Sequence, residues 1–181
     1  VVDPDPALFG KTVHGISIIG DDDEVLNYLK DEVLLVNGLG AVGMPDRRRG
    51  LFCRFKARGY TFATVVHPSA VVASGVEIGE GAQVMAGVVI QPGCNIGANT
   101  ILNTRTSIDH DCRIGDHVHV APGNVFSGNV SVDNASHIGP GVTIIQGIAI
   151  GQGCVVGAGS VVLKNIPDGV TAYGVPAKVI K

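Results

Sequence analysis

Aliphatic residues recur every six positions along most of the chain, and the register never breaks. The series holds seventeen members, which are Val66, Val72, Ile78, Val84, Ile90, Ile96, Leu102, Ile108, Ile114, Val120, Phe126, Val132, Ile138, Ile144, Ile150, Val156 and Val162. An α-helix repeats near 3.6 residues and a strand at two, so neither has this period. The pattern predicts a solenoid of short strands and tight turns, in which each coil buries its apolar face against the next.

A second, mostly small set of residues lies two positions before each aliphatic, and it includes Ala70, Ala82, Cys94, Thr100, Thr106, Cys112, Asn124, Ser136, Cys154 and Ser160. These side chains are also predicted to face inward. The residue after the aliphatic is often glycine, at positions 79, 97, 115, 139, 151 and 157. Glycine there indicates a turn with positive φ or a close approach to a neighbouring backbone.

Residues 1–62 lack the six-residue period and alternate between strand-like and helix-like segments. The predicted order is a strand near Ile16, a helix capped by Asp21, Asp22 or Asp23, a strand at 33–36, a helix at 48–58 and a strand at 62–66. This order predicts a small parallel α/β domain, with domains at 1–64 and 65–181. The chain opens without methionine, and no Gly-rich phosphate-binding turn is found, so we expect the α/β domain to be truncated.

Composition narrows the possible partners and the compartment. The net charge is −3, from 13 basic and 16 acidic residues, which argues against nucleic acid. The one basic run, Arg47-Arg48-Arg49, is interpreted as a solvated helix start. No apolar run approaches the roughly 18 residues needed to cross a bilayer, and nothing in the given sequence resembles a signal peptide. The four cysteines show no C-x-x-C spacing, which favours a reducing, cytoplasmic compartment.

The polar residues that fall outside both inward registers cluster between positions 109 and 119. They are Asp109, His110, Asp111, Asp116, His117 and His119, and all are predicted to project from the solenoid. His110 lies between two carboxylates, so it is a candidate general base with a neighbour that stabilises its charged form. Gly128 lies eighteen residues further on and is predicted to leave room for substrate and to offer its N–H to an oxyanion.

Two other features of this region have both structural and functional interpretations. His119 and His137 are eighteen residues apart and should stack, either as a structural ladder or with His119 donating to an acetyl carbonyl or contacting pantetheine. Cys112 is next to the candidate base but occupies the inward register, so packing is favoured over nucleophilic catalysis.

Taken together, these motifs resemble the sialic acid O-acetyltransferase and nucleotide-aminosugar N-acetyltransferase family of hexapeptide-repeat enzymes. The segments that carry the resemblance are His67-Pro68-Ser69-Ala70, Asn103-Thr104, Asp109-His110-Asp111-Cys112, Ser127-Gly128-Asn129-Val130, 157–162 and Gly174-Val175-Pro176-Ala177-Lys178. The resemblance implies a left-handed parallel β-helix with three hexads per coil. It also implies homotrimers with active sites between subunits.

The resemblance further implies a role for individual residues. His110 would be the general base, Asp111 its support, and His119 a contact of the acetyl-CoA thioester. Acetyl-CoA would lie along a groove near Gly128, Ala158 and the C-terminal segment. Lys164 and Lys178 would meet its phosphates, and the sugar nucleotide would be bound by Asn103, Asp3 and Asp5.

Several activities remain open at this stage. The leading hypothesis is acetyl transfer from acetyl-CoA to the amine of a nucleotide-linked 4-amino sugar, and the nearest alternative is O-acetylation of sialic acid or a related sugar. No metal is expected, but a zinc-dependent hydratase on the same β-helix would employ His117, His119 and His137. A non-catalytic scaffold is disfavoured by the ionisable cluster.

Overall fold

The computed structural model of the protein describes residues 1–41 and 43–180. Its contacts divide into two compact units, Val1–Leu34 and Leu35–Lys181. The second unit contains a helix and the whole solenoid. The predicted division into domains at 64/65 stays a prediction. Within the described residues, no helix is long and apolar enough to span a membrane.

The solenoid that the six-residue period predicts is a left-handed, three-sided parallel β-helix, as the family resemblance implies. Each hexad contributes a strand of two residues to one of three faces, and residues eighteen apart are paired, as in Ile96↔Ile114. The strands of face 1 are Val65–Val66, Gln83–Val84, Ile101–Leu102, His119–Val120, His137–Ile138, Val155–Val156, Thr171–Gly174 and Ala177–Val179. Those of face 2 are Val71–Val72, Val89–Ile90, Ser107–Ile108, Val125–Phe126, Thr143–Ile144 and Val161–Val162. Those of face 3 are Glu77–Ile78, Asn95–Ile96, Arg113–Ile114, Ser131–Val132 and Ala149–Ile150.

Both predicted inward registers fill the interior of the solenoid. From Val84 onward the large aliphatics are essentially inaccessible to solvent, and so are the small residues Cys94, Cys112 and Cys154. Polar members of the small register are satisfied within the core. Thr100 donates to the Gly115 carbonyl and Ser136 to the Gly151 carbonyl, each at 2.8 Å. These bonds tie consecutive corners together without leaving a buried hydroxyl unpaired.

Glycine occurs at two positions of the repeat, and the physical reason for it differs between them. From Ile78 onward, positive φ occurs three residues before each member of the six-residue series, a position held by glycine or by residues such as Asn99, Asp111 and Asn129. The glycines that follow the aliphatics lie outside this conformation and serve the close approach. A Cβ on Gly97, for example, would lie at the backbone of Gly115 and Asp116 in the next coil. Of the two reasons predicted for these glycines, close approach to the next coil is therefore confirmed, and positive φ is wrong for them.

A helix, Asp46–Lys56, packs against the corner between faces 3 and 1. Phe52 meets the ring of His117 edge-on at 5.5 Å, and Lys56 forms an ion pair with Glu80 at 2.9 Å. Arg48 is only 2% exposed, so the interpretation of the Arg47–Arg49 run as a solvated helix start is wrong for this residue. Its guanidinium donates to backbone carbonyls, including those of Asn37 and Asn99. Burial lowers the pKa of Arg48 to about 10.

Two further short strands, Leu34–Leu35 and Thr61–Phe62, pair with each other in a separate two-stranded sheet. The predicted strand at 62–66 is interrupted, because Thr61–Phe62 and Val65–Val66 belong to different sheets. His117, which was predicted to project from the solenoid, is half-buried beside the helix, and its Nδ1 lies 3.0 Å from the Asn99 amide.

The first unit, Val1–Leu34, differs in detail from its sequence pattern. The strand near Ile16 is Ile16–Ser17, and it pairs antiparallel with Thr12–Val13. The intervening His14 and Gly15 both have positive φ, which is typical of a two-residue hairpin turn and accounts for the antiparallel pairing. The helix predicted after Asp21 is a 3₁₀-helix, Asp22–Asn27, capped by that aspartate, and a shorter one spans Pro6–Leu8.

Candidate active site

The strongest candidate site is the corner between faces 2 and 3 formed by residues 109–112, here called the His110 corner. Its backbone is held by the coils on both sides. Asp111 N–H donates to the Pro92 carbonyl at 3.1 Å, and the Asn129 N–H donates to the His110 carbonyl at 2.8 Å. The Cys94 thiol lies 3.0 Å from the Asp109 carbonyl. These bonds fix the corner on the solenoid, so its exposed side chains project from a rigid support.

His110 and Asp111 form a hydrogen-bonded pair at the tip of this corner. The His110 Nδ1 lies 2.8 Å from the Asp111 Oδ2, and both side chains are more than half exposed. An ionised carboxylate can only accept, so Nδ1 carries the proton and Nε2 is left as the basic nitrogen of the neutral ring. The hydrogen bond that His110 donates to Asp111 raises the pKa of His110, and the charge of Asp109 acts in the same direction.

Gly128 lies directly beside the basic nitrogen, as its position eighteen residues after His110 predicts. A Cβ built at Gly128 would fall 2.5 Å from His110 Nε2, closer than atoms can approach. Only glycine therefore leaves the imidazole in this position. No described residue accepts a hydrogen bond from the Gly128 N–H, which leaves that donor available next to the base.

Cys112 has the environment of a packed residue. It is fully buried, and its sulfur lies 3.3 Å from the Ser127 carbonyl. Burial raises the pKa of the Cys112 thiol to about 12, so the thiolate needed for nucleophilic attack is not available near neutral pH. The packing interpretation made from its register agrees with this environment.

His119 is buried, although its register places it outside the interior of the solenoid. It was predicted to project from the solenoid, but it is only 7% exposed and lies on face 1 against His137, with ring centroids 5.0 Å apart. The Ala41 backbone lies beside the ring without completing a hydrogen bond. Burial lowers the pKa of His119 to about 4. The segment preceding the helix covers this face, which the hexad pattern does not reveal. A thioester contact by His119 stays a prediction.

The other predicted site residues do not touch the His110 corner within one chain. Asn103 belongs to the neighbouring corner, where its Oδ1 accepts the Thr104 N–H at 2.8 Å. Ala158 lies on that same edge of the solenoid in a later coil, and Lys164 and Lys178 are exposed near its C-terminal end. In the first unit, Asp3 and Asp5 accept backbone N–H groups two residues ahead of them.

The histidines considered for zinc are also dispersed. Among the described residues there is no group of three histidines, cysteines or carboxylates that could hold a metal ion. His117 is engaged with Asn99 and Phe52 at the helix, while His119 and His137 pack on each other. The arrangement gives no support to the hydratase alternative.

Two residues of this region were missed by the sequence reasoning. Gly93 lies against Asp111, and a Cβ there would overlap the Asp111 Oδ1. The signal was available, because Gly93 stands eighteen residues before Asp111. Arg113 lines an open groove on face 3 together with Gly93, but only the structure shows that groove.

Comparisons with known proteins give a consistent result. No protein-family model matches the chain. A GDP-perosamine N-acetyltransferase from Escherichia coli O157:H7 is 32% identical over 182 residues, covering 98% of this chain and 80% of that protein. The acetyltransferase domain of PglB from Neisseria gonorrhoeae, solved with acetyl coenzyme A, is similar with a TM-score of 0.90 and 34% identity, covering 99% of this chain and 85% of that one. PerB from Caulobacter crescentus, solved with CoA and GDP-perosamine, is similar with a TM-score of 0.84 and 38% identity, covering 98% and 84%.

Proposed function

This chain belongs to the sialic acid O-acetyltransferase and nucleotide-aminosugar N-acetyltransferase family of hexapeptide-repeat enzymes, and from that membership we propose a specific reaction. The enzyme is an acetyltransferase that uses acetyl-CoA. The proposed acceptor is the amine of a nucleotide-linked 4-amino sugar, with His110 as general base. The His110–Asp111 pair against Gly128 carries this proposal, because it supplies an oriented base beside a free N–H donor.

The proposed chemistry is a direct transfer without an acyl-enzyme. The sugar amine attacks the thioester carbonyl, and the C–N bond forms as His110 Nε2 takes the proton from nitrogen. Collapse of the tetrahedral intermediate breaks the C–S bond and releases CoA. Asp111 stabilises the imidazolium formed in this step. The proposed role of the Gly128 N–H is to donate to the developing oxyanion, and the buried Cys112 takes no part in this scheme.

We further propose that the enzyme works as a homotrimer in the cytoplasm, with acetyl-CoA in the grooves between subunits. Face 2 supports the assembly, because Val71 and Val125 are exposed on its outer surface at 62% and 47%. Apolar side chains aligned on one face are suited to contact between copies. The four free cysteines fit a reducing compartment. His119, Ala158, Lys164 and Lys178 are the proposed contacts of acetyl-CoA, and Asn103, Asp3 and Asp5 those of the sugar nucleotide.

The proposal is tested by thiol release from acetyl-CoA with a panel of acceptors. The panel comprises GDP- and UDP-linked 4-amino sugars, the corresponding 4-hydroxy sugars and free sialic acid. We expect turnover with an amino sugar and none with its hydroxy counterpart. Turnover with sialic acid alone would contradict N-acetylation and establish the O-acetylation alternative.

The Asp111→Asn variant tests the electrostatic part of the mechanism. Asp111 raises the pKa of His110, and the neutral ring is the active form, so kcat/KM rises as pH increases through that pKa. Loss of the carboxylate charge lowers the pKa, and we expect the acidic limb of the pH–rate profile to move to lower pH, with a smaller plateau.

The Asp109→Asn variant is the matched control for this shift. Asp109 accepts the hydrogen bond of the His110 backbone N–H at 2.8 Å and makes none with the ring. The acidic limb of the Asp109→Asn pH–rate profile should therefore move less than that of Asp111→Asn. An Asp111→Asn profile with an unmoved acidic limb would show that His110 is not the titrating base.

A further inference from the structure

The Asp111 carboxylate has a single hydrogen-bond partner among the described residues. Its Oδ2 lies 2.8 Å from His110 Nδ1, and no donor of the described chain reaches its Oδ1. The side chain is more than half exposed, so no core packing holds it against the imidazole. The orientation of this carboxylate therefore depends on the space that its neighbours leave for it.

That space is provided by Gly93, which lies next to Asp111 in the preceding coil. The Asp111 N–H donates to the Pro92 carbonyl at 3.1 Å, so the two turns stack on each other. A Cβ built on Gly93 would overlap the Asp111 Oδ1, whereas it would lie 3.5 Å from the Asp111 backbone nitrogen. The conflict is confined to the end of the side chain, and the stacked backbone would clear a methyl group.

The backbone conformation alone does not require glycine at position 93. Gly93 has φ +78°, and the same position of the repeat is held by Arg105 at +60° and by Ala135 at +59°. A side chain at positive φ costs free energy, yet the solenoid accepts one at several of its turns. The room needed by the Asp111 carboxylate is therefore the specific reason for glycine here.

We propose that Gly93 is a positioning residue for the catalytic base, because it leaves room for the Asp111 carboxylate to stay hydrogen-bonded to His110. This inference rests on the proposed function and assigns one further residue to it. Two glycines then frame the pair, with Gly93 against the carboxylate and Gly128 against the imidazole. A side chain at position 93 would turn the carboxylate away, and the imidazole would lose the group that fixes its tautomer and stabilises its charged form.

The test compares Gly93→Ala with Gly75→Ala, a control eighteen residues earlier in the same column of turns. Gly75 also has φ +78°, and a Cβ there would meet nothing within 4 Å. Both variants carry the same backbone strain, so both should melt below wild type by a similar amount. Only Gly93→Ala is expected to lower kcat, by about tenfold, because His110 keeps its basic nitrogen but loses its oriented support. The acceptor is the 4-amino sugar that gives turnover in the panel.

An NMR titration of the His110 imidazole in the free enzyme gives a second readout that does not depend on turnover. The hydrogen bond to Asp111 raises the pKa of His110, so loss of that bond in Gly93→Ala should lower the pKa, while the charge of Asp109 still acts to raise it. The acidic limb of the pH–rate profile should move to lower pH in parallel. The Gly75→Ala variant should leave both unchanged.

A background without the carboxylate separates positioning from other effects of the methyl group. In Asp111→Gly, glycine suits the positive φ of that turn, and adding Gly93→Ala should cause no further loss of kcat. An equal loss in that background, or a His110 pKa that Gly93→Ala leaves unchanged, would overturn the positioning role while leaving the proposed function intact. A wild-type enzyme inactive with every amino sugar would overturn the proposed function, and the NMR titration would still decide whether Gly93 holds Asp111 on His110.

Discussion

Replacing His110 with Asn is expected to lower kcat by about three orders of magnitude, within the range of general base catalysis. In the proposed mechanism the neutral His110 Nε2 accepts the amine proton, and no described side chain is hydrogen-bonded to that nitrogen. Asn retains polar atoms in the exposed turn but has no basic nitrogen. Steady-state kinetics with saturating acetyl-CoA and acceptor measure the loss.

The fold should not change in this variant, because the His110 ring is exposed and packs into no core. Its melting temperature and oligomeric state should match wild type. The control is His67→Asn, since His67 Nδ1 bonds Ser69 in a turn of the same solenoid and has no assigned role in catalysis. Activity of His110→Asn near the wild-type rate would show that the base has been assigned to the wrong residue.

The Gly128→Ala variant is expected to lower kcat by about two orders of magnitude by displacing the base. The added methyl group would occupy the position 2.5 Å from His110 Nε2, so the imidazole must swing away from it. A misplacement on the order of 1 Å in a reacting group costs about a hundredfold in rate. The measurement is kcat together with the KM of acetyl-CoA.

The loss should arise without unfolding, because Gly128 has a backbone conformation that alanine also adopts. Gly50→Ala is the control, since Gly50 lies in the helix with open space around its Cα, and alanine favours helix. Full activity in Gly128→Ala would show that the observed ring position is not the one used in catalysis.

The solenoid was predictable because each hexad specifies its own structure. An apolar side chain is needed at every sixth residue to fill the interior. Residues eighteen apart pair in adjacent coils, as in Ile96↔Ile114, and this pairing confirms the register. The His110 corner followed from the same register, which places His110 over Gly128. In a regular repeat fold, residues eighteen apart in the sequence are therefore neighbours in adjacent coils.

The features that were not predicted depend on contacts between distant segments. Arg48 is part of a basic run, yet it is buried because the carbonyls of Asn37 and Asn99 converge on it. His119 is buried because the chain near Ala41 lies over face 1. No periodicity encodes such coverage, since the covering segment lies some eighty residues away along the chain. The groove at Arg113 likewise depends on the shape of a whole face.

We propose that the His110–Asp111 pair catalyses the transfer of an acetyl group from acetyl-CoA to the amine of a nucleotide-linked 4-amino sugar. Mass spectrometry of the reaction products tests it most directly, with wild type and His110→Asn incubated with acetyl-CoA and GDP- or UDP-linked 4-amino sugars. We expect wild type to form a nucleotide sugar that is heavier by one acetyl group, and fragmentation should place that group on the amine. The His110→Asn variant should form almost none of this product. Acetylation on a hydroxyl, or equal product from both enzymes, would contradict the proposal.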